Sequence, residues 1–364
     1  MFEIIFLVLV SGYFLISFVL VIGAKKKFPQ IAEDKLPSVS IIVAARNEEK
    51  NILACLDSLN NLIYPPNKLE IIIVDDSSTD KTNQVVADFI KEKSIFRLVT
   101  LTEGSDQTLK GKTRTMAEGI KASKGEIILT TDADCVVNPL WAKTIGSYYQ
   151  DDVGLVNGYT TQTVNGSFSG MQAVDFIYLL FIASGAINIG KPVSCIGNNM
   201  SFRKKAYEET GGFENLSFSV TEDFLLLNSI HKLKKYKLTY PLNVSALVTS
   251  KPCESIGELF KQKKRWAVGG IEAQPFGVLL MSWAFFTNLF ILLTPFFFNA
   301  VWMYLTIFKL AIDFFVLLPL HIKLGLQKNL KYFLVFELYL TIYLFVLPFA
   351  VFVNKKVKWK DRVY

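Results

Sequence analysis

Phe2–Ala24 is one apolar run, broken only by Glu3 and small polar residues, and Lys25, Lys26 and Lys27 follow it at once. A run of that length can cross the hydrocarbon core of a bilayer as a helix. A cleaved leader carries its positive charge ahead of a shorter apolar core and a small-residue site behind it. Here the charge comes after the run. The positive-inside rule then places the Lys25–Lys27 end in the cytoplasm and the N-terminus outside. After Ala273 the chain turns apolar again, in segments near Pro275–Phe298, Val301–Leu320 and Tyr332–Val353. Only the stretch between can fold as a water-exposed domain. The expected organisation is a transmembrane helix over 1–24, a cytoplasmic catalytic domain over 25–273, a membrane block of two to three helices over 274–354, and a basic tail over 355–364.

Composition supports this division. Hydrophobic residues make up 51% of the chain and charged residues 20%, whereas a soluble globular chain is nearer a quarter charged. That excludes a disordered chain, a collagen or a coiled coil, and argues against a fully soluble enzyme. The net charge is +7, a balance that serves nucleic acid, anionic lipid or phosphorylated substrates. Lysines flanking apolar segments point to membrane lipid, and no nucleic-acid partner is expected. Cys55, Cys135, Cys195 and Cys253 form no CxxC pair, which argues against a disulfide framework or a zinc ribbon and fits a reducing compartment. With His231 and His321 as the only histidines, a mechanism resting on several imidazoles is excluded.

Between the apolar ends, strand and helix patterns alternate. Ser38–Ala45 reads as a buried strand, and Glu48–Leu62 as a helix with Ile52, Leu56 and Leu59 on one face. Leu69–Val74 is a second strand. Ser78 or Thr79 can cap a helix carrying Val85, Val86, Phe89 and Ile90. Phe96–Leu101 is a third strand, Lys112–Ala122 a short helix and Glu126–Thr131 a fourth strand. This alternation predicts an α/β fold with a mostly parallel, doubly wound sheet. Phe168–Gly190 is strongly apolar but carries Gln172, Asp175 and Asn188, and lies between acidic motifs that should share one site. It is expected to be a helix at the membrane surface or the domain edge. Lys309 and Asp313, four apart, share a helix face and can pair. Three C-terminal crossings would carry Lys355, Lys356, Lys358, Lys360 and Arg362 outside, against the positive-inside rule. The Lys309-bearing segment is therefore expected to be re-entrant or interfacial.

In an open parallel sheet, ligands bind beyond the carboxyl ends of the strands. The first strand ends in Ala45-Arg46-Asn47-Glu48, the second in Asp75-Asp76-Ser77-Ser78, the fourth in Asp132-Ala133-Asp134. Carboxylates gathered on one edge repel one another unless a cation sits among them. Mg²⁺ or Mn²⁺ takes oxygen ligands, few from the protein and the rest from substrate phosphate. The pattern points to a metal–phosphate site. No GxGxxG follows the first strand, so a dinucleotide fingerprint is absent. Gly111-Lys112-Thr113 imitates the end of a phosphate loop, but Asp106 stands where that motif needs glycine. Lys112 remains a candidate phosphate contact. Three later motifs stand out: Gly197-Asn198-Asn199-Met200-Ser201-Phe202-Arg203 leading to Gly211-Gly212-Phe213, the triplet Thr221-Glu222-Asp223, and Gln262-Lys263-Lys264-Arg265-Trp266. Taken singly, each also reads as a turn, a helix cap or a solvated basic face.

In this order, Asp75-Asp76, Asp132-Ala133-Asp134, Thr221-Glu222-Asp223 and Gln262-x-x-Arg265-Trp266 resemble the family 2 glycosyltransferases. The resemblance is to the membrane-embedded branch with a QxxRW motif, which includes cellulose, chitin and hyaluronan synthases and ceramide glucosyltransferase-like enzymes. It covers about Ser38 to Trp266 and the flanking apolar segments. The resemblance implies a GT-A fold and a nucleotide-diphosphate sugar donor, with a UDP-sugar expected. It assigns Arg46, Glu48 and Asp75 or Asp76 to the base and ribose, Lys112 and Asp132 to the nucleotide, and Asp134 to the metal. Asn198 and Asn199 join the substrate-binding set. Asp223 becomes the general base with Glu222 as its rival, Arg265 the diphosphate clamp, and Gln262 and Trp266 parts of the donor and acceptor path. Ala44-Ala45-Arg46-Asn47 stands where many members have proline before the arginine.

A metal and an arginine can neutralise the charge that grows on a departing nucleoside diphosphate. One positioned carboxylate can deprotonate the acceptor hydroxyl, and a single displacement of this kind inverts the anomeric centre. Two enzymatic versions follow: one transfer to a lipid or lipid-linked acceptor, favoured because a polymer channel needs more helices than these, or repeated transfer as a polysaccharide synthase. The reading of another class is a non-enzymatic membrane scaffold that binds anionic lipid.

Overall fold

The computed structural model describes residues 2–102, 109, 111–216, 219–270, 275–297, 299–353, 358–359 and 362–363. The N-terminal half runs α1 (Phe2–Ala24), β1 (Val39–Ala45), α2 (Ile52–Asn60), β2 (Leu69–Asp76), α3 (Thr82–Ile90), β3 (Phe96–Leu101), α4 (Gly111–Ala122), β4 (Ile127–Asp132), β5 (Val136–Val137), α5 (Trp141–Ser147), β6 (Val153–Asn157) and β7 (Thr160–Gln162). There follow α6 (Ser167–Asn188), β8 (Met200–Arg203), α7 (Lys204–Glu209), α8 (Glu222–Lys232), β9 (Lys237–Thr239), β10 (Val248–Ser250), α9 (Ile256–Gly269), α10 (Pro275–Leu292), α11 (Ala300–Lys323) and α12 (Phe333–Val353). They form two compact units. One holds Lys27–Thr161 and Cys195–Lys251; the other holds Met1–Lys26, Gln162–Ser194 and Pro252–Tyr364.

The first unit is the expected α/β domain. Its seven-stranded sheet has the order β3-β2-β1-β4-β8-β6-β9. β1, β2, β3 and β4 are parallel, while β8 runs antiparallel to β4 and β6. β1, β2 and β4 are mostly apolar and buried because helices cover both faces, whereas β3, at the edge of the sheet, is partly exposed. Ile41, Val43, Ile71, Ile73 and Leu129 pack with Cys55, Leu56 and Leu59 of α2. Burying each such side chain contributes roughly 1.5–3 kcal/mol. On the other face α4 approaches so closely that a Cβ on Gly119 would stand 2.6 Å from Ile42 Cγ2.

Two helices start later than the sequence pattern predicts, for one reason. The loops after β1 and β2 bond to each other. Asn47 N donates to Ser78 Oγ (3.0 Å), Glu48 N to Thr82 Oγ1 (2.7 Å) and Glu49 N to Asp80 Oδ2 (3.1 Å). In return Thr79 N donates to Asn47 Oδ1 (2.8 Å) and Lys81 N to Glu49 Oε2 (3.1 Å). This exchange holds residues 47–49 in a loop, with Asn47 at positive φ, and α2 begins at Ile52 rather than Glu48. Neither Ser78 nor Thr79 caps α3; Asp80 Oδ1 accepts from Thr82 N (2.9 Å) instead. Asn47 and Ser77 sit at φ 53° and 56°, the left-handed region that asparagine tolerates best among residues with a Cβ.

The second unit is helical: α1, α6, α9, α10, α11 and α12. Five helices among the described residues are long and apolar enough to cross a membrane: α1, α6, α10, α11 and the 327–353 segment containing α12. The sequence pattern puts 162–194 and 252–273 within the catalytic domain, but the structure packs both with the helical unit. α6 is the largest departure. It is a helix, as expected, yet its apolar window is 89% buried, against 17% for α10. It is the inner helix of this unit rather than a surface or edge helix, packed against α1, α11 and α12. Small residues permit the approach: a Cβ on Gly23 would meet Gly185 O at 2.2 Å.

Lys309 and Asp313 pair as the spacing predicts, at 2.8 Å, and Glu337 of α12 joins at 2.7 Å. Tyr13 Oη donates to Asp313 Oδ1 (2.5 Å) and contacts Tyr178 Oη (2.7 Å), so four helices share one polar knot. α11 runs unbroken over 24 residues, roughly 36 Å at 1.5 Å per residue. That is long enough to span a membrane. Of the basic tail, Lys355, Lys356 and Lys360 lie outside the described residues, as does Asp106.

Candidate active site

The register of the sheet assembles the site. Ala45 pairs with Asp75, Ala44 with Asp132, and Asp76 with Leu101. Arg46, Asp76 and Asp132 therefore leave the sheet at one edge. Arg46 Nη1 donates to Asp76 O (2.6 Å) and stands 3.7 Å from Asp76 Oδ2. Arg114 of α4, which none of the sequence motifs marks, lies 3.8 Å from Asp76 Oδ1 and donates to Thr102 O (3.0 Å). Its one clue in the sequence is its place two residues beyond Lys112. Asp76 is thus held between two guanidinium groups at the carboxyl ends of β1 and β2.

Lys112 is the hub of the second cluster. Its Nζ donates to Asp132 Oδ1 (2.6 Å) and stands 3.7 Å from Glu222 Oε1. Burial alone would lower its ammonium, but Asp132, Glu222 and Asp223 together hold it above its ordinary value. The start of α4, the end of β4 and the start of α8 are thereby brought together. Asp223 Oδ1 accepts from Phe224 N (2.8 Å). A Cβ on Gly197 would lie 3.1 Å from Asp223 Oδ2, so glycine lets the carboxylate pack against the Gly197–Asn199 turn. The Cys195 thiol in this region is pushed up by burial and by Asp223 and Glu222.

Asp132 and Asp134 flank a turn closed by Cys135 N donating to Asp132 O (3.0 Å), and Cys135 Sγ lies 3.5 Å from Asp134 Oδ1. No group of three or more His, Cys, Asp and Glu among the described residues is arranged to hold a metal by itself. The donor chemistry still fits Mg²⁺ or Mn²⁺. Asp132 is 34% exposed and pairs with Lys112. With Asp134 it offers hard oxygens at an open sheet edge, where a cation can complete its shell with phosphate and water.

Three expected substrate residues have other partners. Asp75 is buried and accepts from Ser78 Oγ, and from Asn83 Nδ2 at 2.9 Å. It shapes the loop, while Asp76, also buried, faces the two guanidinium groups. Glu48 Oε2 accepts from Asn51 Nδ2 (2.7 Å) and remains half-buried. Asn199 accepts from Trp141 Nε1 (2.9 Å) and donates to Tyr159 O (2.7 Å) and Ala246 O (2.9 Å). Both its amide hydrogens are spent in the interior, so the geometry makes it a pin rather than a substrate contact. Asn199→Ala would strand the Trp141 indole N–H and the Ala246 carbonyl, each costing about 1–3 kcal/mol, while Tyr159 O keeps Val248 N (3.1 Å). The expected outcome is a large fall in the melting temperature of the purified protein; an unchanged melt would overturn the pin. Asn198 accepts from Thr160 Oγ1 (2.8 Å) on the same turn. Gln262, Arg265 and Trp266 lie on α9 in the helical unit, all half-buried.

A helix-flanked, mostly parallel sheet thus ends in one edge that gathers Arg46, Arg114 and Lys112 with Asp76, Asp132, Glu222 and Asp223, the edge at which open α/β sheets bind ligands. Residues 127–353, more than half of the chain, match the family described as glycosyl transferase family group 2, and 40–211 match glycosyl transferase family 2. The chain belongs to the family 2 glycosyltransferases. It is 28% identical over 263 residues to a beta-monoglucosyldiacylglycerol synthase of Nostoc sp., covering 69% of this chain and 53% of the relative. It is 28% identical over 251 residues to a poly-beta-1,6-N-acetyl-D-glucosamine synthase of Staphylococcus aureus, covering 68% of this chain and 58% of the relative. The chain thus spans a little over half the length of these curated relatives. A mannosyltransferase of Pyrobaculum calidifontis, solved in complex with GDP-Man and Mn²⁺, aligns over 93% of this chain and 99% of its own with a TM-score of 0.56 at 18% identity. That likeness shows the fold, and the fold is GT-A.

Proposed function

We propose that the chain is an inverting, divalent-cation-dependent glycosyltransferase. It moves a sugar from a nucleotide-diphosphate sugar, a UDP-sugar by our reading, to a lipid or lipid-linked acceptor at the cytoplasmic face of a membrane. The observation that carries this is the convergence of Lys112, Asp132, Glu222 and Asp223 at the carboxyl edge of the sheet. Two relatives, one of them named as a glycolipid synthase, and the Mn²⁺ in the complex of the solved mannosyltransferase support it.

Arg46, Asp76 and Arg114 form the pocket for the base and ribose. Lys112 meets the diphosphate while balancing Asp132. Asp132 and Asp134 would hold Mg²⁺ or Mn²⁺, which supplies neutralisation of the leaving diphosphate when bound. Asp223 takes the proton of the acceptor hydroxyl. Arg265, with Gln262 and Trp266, clamps the diphosphate and lines the acceptor path. Detergent-purified protein given UDP-glucose and diacylglycerol is expected to yield a glycolipid by mass spectrometry. A polymer ladder with no discrete glycolipid would favour the second reading, a polysaccharide synthase, which the poly-N-acetylglucosamine relative supports.

The cytoplasmic assignment follows Lys25–Lys27. The sequence offers Cys55 as a labelling probe, but its thiol is wholly buried and pushed up by that burial and by Asp134 and Asp132. Asp88 is exposed on α3, so Asp88→Cys is the better reporter. An impermeant maleimide is expected to label it only after cells are opened. Strong labelling of intact cells would reverse the topology.

A further inference from the structure

We infer that Asp175 on α6, through its ion pair with Lys263, is a positioning residue that sets the orientation of the Gln262-x-x-Arg265-Trp266 helix. Lys263 Nζ meets Asp175 Oδ2 with both side chains almost wholly buried, 4% and 2% exposed. Asp175 Oδ1 is buried with no hydrogen-bond partner, so the lysine is the only compensation the carboxylate has among the described residues. Taking two charges out of water costs several kcal/mol per ion, and an apolar pair would fill the same space more cheaply.

The pair is one of three contacts that a single face of α6 makes with the α9 segment. Gln172 Nε2 donates to Cys253 O (3.0 Å) and its Oε1 accepts from Cys253 N (2.9 Å). This two-point clasp fixes the chain just before α9. Phe176 lies against Trp266 with ring centroids 5.7 Å apart. Residues 172, 175 and 176 share a face because they are three and four apart. On α9, Lys263 and Trp266 share a face for the same reason, and the Lys263 Nζ also lies 4.7 Å from the Trp266 ring centre. One residue is roughly 100° of helix rotation. Locking Lys263 inward therefore fixes the direction in which Gln262 and Arg265 leave the helix. Lys263, which lies between Gln262 and Arg265, is held on the same inward face as Trp266.

This rests on the reading that Arg265 serves the donor diphosphate, and the test separates the two. Transfer is measured on full-length protein in detergent, with melting temperature alongside, for Asp175→Asn, Lys263→Met, the double variant and Arg265→Ala. Each single variant leaves a buried charge alone and is expected to melt lower. The double variant removes both charges and is expected to recover the melt. For a positioning pair, kcat in the double variant stays down by roughly tenfold to a hundredfold, the scale of a misplaced catalytic group, while the donor KM moves little. A merely structural pair predicts that kcat returns with the melt, and that result overturns the inference. Because the double variant carries the decision, a single variant that fails to fold does not blunt the test. If Arg265→Ala keeps wild-type kcat, the reading of the motif itself falls and takes the inference with it. If Arg265→Ala is inactive while the double variant turns over normally, only the inference falls.

Discussion

Asp223→Asn is expected to give a folded protein that binds donor and turns over roughly 10²-fold or more slowly. Asparagine keeps the shape and the oxygen that accepts from Phe224 N (2.8 Å), but it cannot take a proton. The alternative is that Asp223 only favours the start of α8, where it lies in the first turn beside Glu222. That role predicts a loss of roughly 1 kcal/mol in stability with activity retained. Glu222, the rival, stands 3.7 Å from Lys112 Nζ, within an ion pair. Glu222→Gln belongs in the same assay. Near wild-type turnover in Asp223→Asn would remove the assignment, and a dead Glu222→Gln alone would move it one residue.

What the sequence can disclose tracks how local its cause is. Strands β1, β2 and β4 are legible because a strand buried on both faces is a nearly uninterrupted apolar run, and the ends of β2 and β4 are legible because acidic residues close them. Helix starts at Ile52 and Thr82 are not, since they depend on two loops bonding across the sheet, Asn47 to Thr79 and Glu48 to Thr82. Asn199 reads as part of a binding motif. Its partners Trp141, Tyr159 and Ala246 belong to distant parts of the chain, and no spacing rule reaches them. Lys309 and Asp313 are predictable as a pair because four residues make about one turn. Glu337, Tyr13 and Tyr178, which complete the knot, come from three other helices. α6 is the sharpest case: its composition allows a span, a surface helix or a core helix, and only its neighbours decide. A single crossing by α6 would carry the chain to the far side before β8, yet β8 pairs with β4, which precedes the helix. Its polar Gln172 and Asp175 are explained by the α9 segment, which the sequence pattern groups with the catalytic domain.

Asp134→Ala is expected to abolish the cation dependence of donor binding and to weaken that binding roughly tenfold or more, with turnover falling by about 10²–10³-fold, the scale of losing one group that stabilises transition-state charge. The reasoning is electrostatic. By the proposed reading, a diphosphate arriving at this edge meets Asp132, Asp134, Glu222 and Asp223 together with Lys112, a single cation that already balances Asp132 and Glu222. Two unit charges of like sign at 4 Å repel by about 4 kcal/mol in surroundings typical of a protein surface, so the ligand and the carboxylates are compatible only with further positive charge between them. Asp134 follows Asp132 across one tight turn, and its oxygens are hard donors of the type Mg²⁺ and Mn²⁺ select. Removing one of two carboxylate ligands weakens the cation and exposes the repulsion of those that remain. Donor is titrated by calorimetry with and without Mg²⁺ or Mn²⁺, in wild type and in Asp134→Ala, and Asp134→Asn separates loss of charge from loss of shape. Wild type alone should tighten when the cation is added. Equal affinity in all four conditions of the first comparison would sink the metal-site reading, and a variant that still responds to the cation as wild type does would move the ligand away from Asp134.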